Sequence, residues 1–133
     1  MNDGSAAIIE SNGRILLQQR DLITEIPYPG YWSLFGGHAD VDESPIETLL
    51  RELKDELGRD FDVGDFKYVG NFKRVEQPVG RIHIFHHEGD YGCSDFNLRE
   101  GKSMAFVNPK YLLRLRICPD IENIFKQIYG KNE

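Results

Sequence analysis

Residues 36–58 read GGHADVDESPIETLLRELKDELG, a glycine pair followed by an acidic turn and then a helix on which every local signal agrees. Ser44 is a good N-cap, Pro45 suits the first helical position, and Glu47 completes an S-x-x-E capping box. Ile46, Leu49, Leu50, Leu53 and Leu57 follow the i, i+3, i+4, i+7 spacing of one buried stripe, and Gly58 is a ready C-terminal stop. The pattern predicts a helix from Pro45 to Leu57. At 100° per residue, Glu52, Asp55 and Glu56 fall within an arc of about 100°, beside the leucine stripe rather than opposite it.

The charge of the chain is concentrated in the same place. The 133 residues hold 16 Lys plus Arg and 22 Asp plus Glu, for a net charge of −6. Between Asp40 and Asp62 there are nine acids and three bases, so this one segment accounts for the whole excess. Crowded like charges repel unless something positive neutralises them. A charge run alone reads as a solvated helix face. Three carboxylates one turn apart at the margin of a buried face instead suit a hard divalent cation, held rigid by the leucines behind them. Arg51, four residues from both Glu47 and Asp55, is placed to brace the carboxylates. Gly36-Gly37 is expected to end a strand before the helix and let bare backbone approach a metal or phosphate.

Outward from this stretch, Ser5–Arg20 reads as two strands turning at Asn12-Gly13. Ile26–Gly30 is a Pro/Gly loop, and a short apolar strand is expected at Tyr31–Leu34. Phe66–Val75 and Arg81–His87 read as strands joined by a turn at Pro78–Gly80. Met104–Val107 is a further strand, and Ile121–Tyr129 a closing amphipathic helix behind Pro119. Interleaved strands and helices predict an α/β fold, a mixed sheet with helices on both faces. The length fits one domain over residues 1–133. No stretch approaches the ~20 apolar residues of a membrane helix, the first residues lack the pattern of a signal peptide, and two Cys without a CxxC suit a reducing cytoplasm. The acidic balance argues against nucleic acid polymers and anionic membranes as partners.

The stretch from Gly37 to Gly58 resembles the Nudix box, G-x5-E-x7-R-E-U-x-E-E-x-G-U. Of its nine specified positions seven fit outright: Gly37, Glu43, Arg51, Glu52, Leu53, Glu56 and Gly58. Leu16-Leu17-x-x-Arg20 and Pro29-Gly30-Tyr31-Trp32 are similar to the family's usual approach to the box. The chain departs at three positions: Asp55 for the customary Glu, Arg59 for an aliphatic residue, and Phe35 for the Pro before the glycine pair. The resemblance implies an α/β/α sandwich and a Mg²⁺- or Mn²⁺-dependent hydrolase of phosphoanhydrides in nucleoside diphosphates linked to another group. The absence of a large insertion favours a small nucleoside triphosphate. Carried over by position, Glu52 and Glu56 are the principal metal ligands, Asp55 a weaker one and the Gly36 carbonyl an additional one. Glu43 and Arg51 hold loop and helix together. The general base is Glu56 or Glu100, the latter in a loop where some relatives place a metal-binding Glu. Members of the family are often dimers, so a homodimer is a further expectation.

For the substrate, Arg20 is a candidate for the phosphates and Gly37 for close backbone approach. Trp32 and Tyr28 are candidates for stacking on a base. Asp120 lies near where some relatives read the nucleobase, although it equally suits an N-cap. His83, His86 and His87, with His38 and Cys93, invite a zinc reading, but in a strand His86 points away from the other two. Gly101-Lys102-Ser103 fails as a P-loop because residue 96 is Phe, and Asp40-x-Asp42-x-Ser44 fails as a calcium loop because Pro45 stands at its glycine position. Two rival functions are an isopentenyl-diphosphate isomerase-like enzyme, which wants a Cys where Gly36 stands before Gly37-His38, and a nucleotide sensor that binds without turnover.

Overall fold

Asn12 and Gly13 have φ of 53° and 77°, the left-handed pair that a two-residue hairpin turn of the primed type needs. They join β1 (Gly4–Ser11) to β2 (Arg14–Gln19) in a computed structural model that describes residues 3–75 and 80–130. β1 and β2 pair beside the turn, Glu10 opposite Ile15 and Ser11 opposite Arg14, and then part. Residues 32–38 fill the gap. β3 (Trp32–Ser33) pairs with Gln18 and Gln19 of β2, the chain crosses at Leu34, and β4 (Phe35–His38) pairs with Gly4–Ala7 of β1.

The rest of the sheet grows from this split pair. β6 (Arg81–Glu88) runs parallel to β1 from Gly4 to Glu10, β5 (Lys67–Lys73) lies antiparallel on its outer edge, and β7 (Ser103–Val107) lies antiparallel to β2. The sheet is therefore mixed. Strand side chains alternate between its faces. Ala7, Ile9, Leu16, Phe35 and Phe85 pack under Leu49, Leu53 and Leu57 of α1 (Pro45–Leu57). Ile8, Ile15, Leu17 and Ile84 pack against Ile121, Ile124 and Phe125 of α2 (Pro119–Tyr129) on the opposite face. This is the α/β/α arrangement expected from the interleaved pattern.

α1 has the expected bounds. Ser44 and Glu47 form the reciprocal capping box, and Gly58 ends the helix at φ 66° with its N–H on the Lys54 carbonyl. Three expectations are corrected. The glycine pair expected to end a strand lies inside β4, one residue short of its end, because Phe35–His38 is captured by the free half of β1. The strand expected at Tyr31–Leu34 shrinks to Trp32–Ser33, since Leu34 is spent on the crossing. α2 begins two residues early, with Pro119 in its first turn and Cys118 at the N-cap, so Asp120 is not the cap. The expected turn at Pro78–Gly80 falls mostly on residues 76–79, outside the described residues.

Arg59, unusual by resemblance, lies over aromatic rings, 5.4 Å from the Phe61 centroid, 5.0 Å from Tyr91 and 5.7 Å from Phe96. Cation–π attraction and stacked methylenes there do the packing an aliphatic side chain would do. Leu53 is fully buried, whereas Ser44 caps an exposed helix end. Urea unfolding should therefore find Leu53→Ala destabilised by about 2–5 kcal/mol and Ser44→Ala by about 1 kcal/mol.

Candidate active site

The split between β1 and β2 opens an elongated cleft of about 650 Å³, reached by side chains from α1, β4, the Pro/Gly loop, the loop before β7 and the first turn of α2. That volume lies in the usual range for small-ligand sites. Its acidic wall is built from α1. Glu56 is buried at 4% exposure, and its Oε1 accepts the Gly36 N–H at 2.9 Å. Glu52 Oε1 accepts from Arg51 Nη1 at 2.5 Å. Its Oε2 occupies the space beside Gly37, where a Cβ would come within 2.1 Å of it. At Gly36, φ is 154° and a Cβ would meet the Ser5 carbonyl oxygen at 2.0 Å. The glycine pair is thus required by close packing on both sides. Gly37, in the cleft lining, makes room for a carboxylate of the protein itself.

Glu100 reaches the same wall from the loop before β7. Backbone N–H groups of Asn97 and Arg99 donate to the Leu57 and Glu56 carbonyls at 2.9 and 2.8 Å, docking this loop on the end of α1. Glu100 thereby lines the cleft wall with Glu56, close enough for its charge to act on that carboxyl. Burial first, and then the charge of Glu100, push the Glu56 carboxyl up to about 9, against the pull of the Gly36 N–H. Burial also raises Glu52, opposed by Arg51. Desolvated beside other acids, Glu56 cannot ionise cheaply and keeps its proton well above the ordinary carboxyl range.

Arg51 is the brace. Its Nε donates to Glu43 Oε2 at 2.6 Å and its Nη2 to the His38 carbonyl at 3.0 Å, and Glu43 in turn accepts from the Asp40 N–H and the Thr48 hydroxyl. The Arg51 hydrogen bond holds the Glu43 carboxyl down at about 2. Loop, strand and helix are tied together at this one guanidinium.

The remaining expected residues divide. Arg20 lines the cleft, its Nε donating to the Pro27 carbonyl at 2.9 Å, and Tyr28 lines it as well. Asp120 is in the cleft wall, where its carboxylate accepts the Val75 N–H at 2.5 Å and lies 3.7 Å from the Arg74 guanidinium. Trp32 does not line the cleft. It packs against the core on the α2 side, because its strand position turns the indole away. Asp55 is exposed and outside the cleft lining, one residue short of the inward-facing arc, though its charge still raises Glu52. The histidines of β6 go separate ways: His83 to Tyr68 and Asp3, His86 to Glu10, and His87 to Tyr91 and the Asp65 carbonyl.

Sequence reasoning missed Arg74, whose side chain is only 7% exposed in the cleft wall with Nη2 3.3 Å from His38 Nδ1. It also missed Gln18 and the Cys118 thiol, which burial raises above its ordinary value. None of these has a local pattern; the fold brings them to the cleft from separate parts of the chain.

Among the described residues no three His, Cys, Asp or Glu side chains are already gathered into a metal cage. Arg51 draws Glu52 aside and Gly36 holds Glu56. The donor set nevertheless fits a hard divalent cation. Glu52, Glu56 and Glu100 offer only carboxylate oxygens to one cleft, and their mutual repulsion is what a cation would relieve. No helix among the described residues is long and apolar enough to cross a membrane.

A NUDIX domain model matches residues 3–112. The chain is 33% identical over 115 residues to a CTP pyrophosphohydrolase of Escherichia coli (strain K12), spanning 86% of this chain and 81% of that protein. The solution structure of the E. coli ORF135 protein superposes with a TM-score of 0.72 at 28% identity, covering 99% of this chain and 94% of that one. A MutT protein from Methanosarcina mazei Go1 gives a TM-score of 0.71 at 25% identity, over 99% and 95% of the two chains.

The raised Glu56 carboxyl has a thermodynamic consequence. From its ordinary 4.5 up to about 9, the unfolded chain ionises this group while the folded one keeps the proton. The folded state then binds more protons, so stability falls as pH rises through that window, by at most about 1.4 kcal/mol per unit for one proton. Urea unfolding in EDTA should show metal-free wild type weaker at pH 8.5 than at pH 5.5. Glu56→Gln should flatten that slope and exceed wild type at pH 8.5; parallel pH profiles would contradict the assignment.

Proposed function

The chain belongs to the NUDIX domain family, and from that premise we propose that it is a divalent-cation-dependent pyrophosphohydrolase of small nucleoside triphosphates, releasing pyrophosphate. Similarity to a CTP pyrophosphohydrolase makes cytidine triphosphate the first substrate to test. The observation that carries the reading is the meeting of Glu52, Glu56 and Glu100 on one cleft wall that also holds Gly36, Gly37 and Arg20. Under this reading the enzyme works in the cytoplasm on free nucleotides.

Glu52, Glu56 and Glu100 would hold Mg²⁺ or Mn²⁺, with the Gly36 carbonyl as a further donor and Asp55 acting from its exposed position through water. When bound, the cation supplies charge neutralisation for the phosphoryl oxygens and acidifies a water. The side chains do the rest. Arg51 fixes Glu52 relative to the glycine pair, and the buried leucines keep the carboxylates from relaxing away. Glu56 or Glu100, ionised when a cation is held beside them, would be the group that takes a proton from the attacking water. Arg20, tethered to Pro27, faces the cleft with donors for phosphate oxygens.

Incubation with CTP and a panel of nucleoside triphosphates should yield the monophosphate and pyrophosphate, and EDTA should abolish turnover. Glu56→Gln and Glu52→Gln should each lower kcat by at least about 100-fold without loss of fold. Wild-type kcat in both variants would overturn the proposal, and tight nucleotide binding without product over hours would favour a sensor instead.

A further inference from the structure

We propose that Gln18 is a positioning residue of the cleavage reaction: its buried amide locks the Leu34 crossing and the Glu100–Gly101 loop into the relation that brings Glu100 against Glu56. The inference rests on reading Glu56 and Glu100 as the reaction's carboxylate pair.

Gln18 stands where β1 and β2 part, opposite Ser33 of β3 and Met104 of β7. It is only 8% exposed and lines the cleft. A buried amide must find partners or forfeit its hydration. Its Nε2 donates to the Leu34 carbonyl at 3.2 Å. Because a carbonyl only accepts, this bond fixes which end of the amide faces which way and turns Oε1 toward the opposite side. There it meets Gly101. A Cβ at that glycine would come 2.9 Å from Gln18 Oε1 and 2.9 Å from the Gln19 carbonyl oxygen, and φ of 88° is a left-handed value that favours glycine. The loop is then sewn to β2 by Lys102 N–H to the Gln19 carbonyl at 2.8 Å and by Ser103 Oγ to Gln19 Oε1 at 3.1 Å.

Two threads run from this amide to one carboxylate. Through Leu34 the chain continues to Gly36, whose N–H holds Glu56 Oε1 at 2.9 Å. Through Gly101 it continues back to Glu100, whose loop is bonded from Arg99 N–H to the Glu56 carbonyl at 2.8 Å. Gln18 lies between them, bonded to the first at Leu34 and packed against the second at Gly101. An apolar side chain of similar size fills the space but removes the Leu34 donor and the polar oxygen packed beside Gly101. Both threads then gain freedom, while the core clusters on either face of the sheet keep their contacts. Misplacing reacting groups by about 1 Å lowers rates by on the order of 100-fold.

The test compares wild type, Gln18→Leu and Gln18→Asn in steady-state CTP hydrolysis with Mg²⁺, and in backbone amide exchange of the metal-free proteins. Expected for Gln18→Leu is a fall in kcat of about 10- to 100-fold with KM within about threefold. Amide exchange should quicken at residues 34–36 and 100–102 but not in α1 or α2. Gln18→Asn, which keeps the amide on a shorter arm, should recover part of the lost kcat and is the variant to rely on if Gln18→Leu does not fold. A folded Gln18→Leu with kcat within twofold of wild type overturns the proposal. So does faster exchange throughout the chain, or a Gln18→Asn no better than Gln18→Leu. A wild type that cleaves no nucleotide sinks the functional reading itself, whereas an active wild type with an unaffected Gln18→Leu sinks this inference alone.

Discussion

A carboxylate kept out of water is the constraint around which this protein is arranged. Glu56 is buried among other acids, with the Gly36 N–H as its backbone donor. Burying an apolar group is favourable, whereas burying an unpaired charge is costly, so such a side chain keeps its proton or acquires a cation. Here the leucine stripe does not let it escape. Leu53 and Leu57 are fully packed on the same helix, and moving Glu56 into solvent would drag them off the sheet. Burial disfavours its charged form, and the hydrophobic core holds it in that place.

The parted strands are the second half of the arrangement. A hairpin paired along its whole length would leave no opening between β1 and β2. Because residues 32–38 wedge between them, Gly36 and Gly37 are carried under α1, and neither has room for a side chain. One clashes with backbone and the other with Glu52, so the glycines are fixed by protein packing before any ligand arrives. The same wedge gives Gln18 a carbonyl to hold and gives the Arg51 guanidinium its His38 partner. Acids, brace and buried amide therefore share one topological cause.

Trp32, Asp55 and Asp120 illustrate the limits of reading positions singly. A tryptophan behind a Pro/Gly loop looked available for stacking, yet the short β3 pairing points it into the core on the α2 side. Asp55 belongs to the acidic arc by spacing, but the arc straddles the helix margin, and this residue falls on its wet side. Asp120 lies in the cleft wall, where it is engaged by Val75 and Arg74. Those partners lie 45 residues away in the case of Val75, and no local pattern announces them.

Amino-acid order alone determined the features that close within a few residues: the Asn12-Gly13 turn, the capping box, the leucine stripe and the Gly58 stop. Their energies depend on neighbours a turn or a hairpin apart, and a linear reading contains those neighbours. Spacing put Arg51 beside Glu47 and Asp55, whereas the fold turns it to Glu43 and Glu52. Only the tertiary structure decided which carboxylates face one another, why both glycines are needed, and which polar side chains are buried with a task. Glu56 meets Glu100, and Gln18 meets Gly101, across separations that the chain spans only after the sheet has formed. Desolvation and close approach are properties of that assembled space, so they belong to the fold rather than to any segment of it.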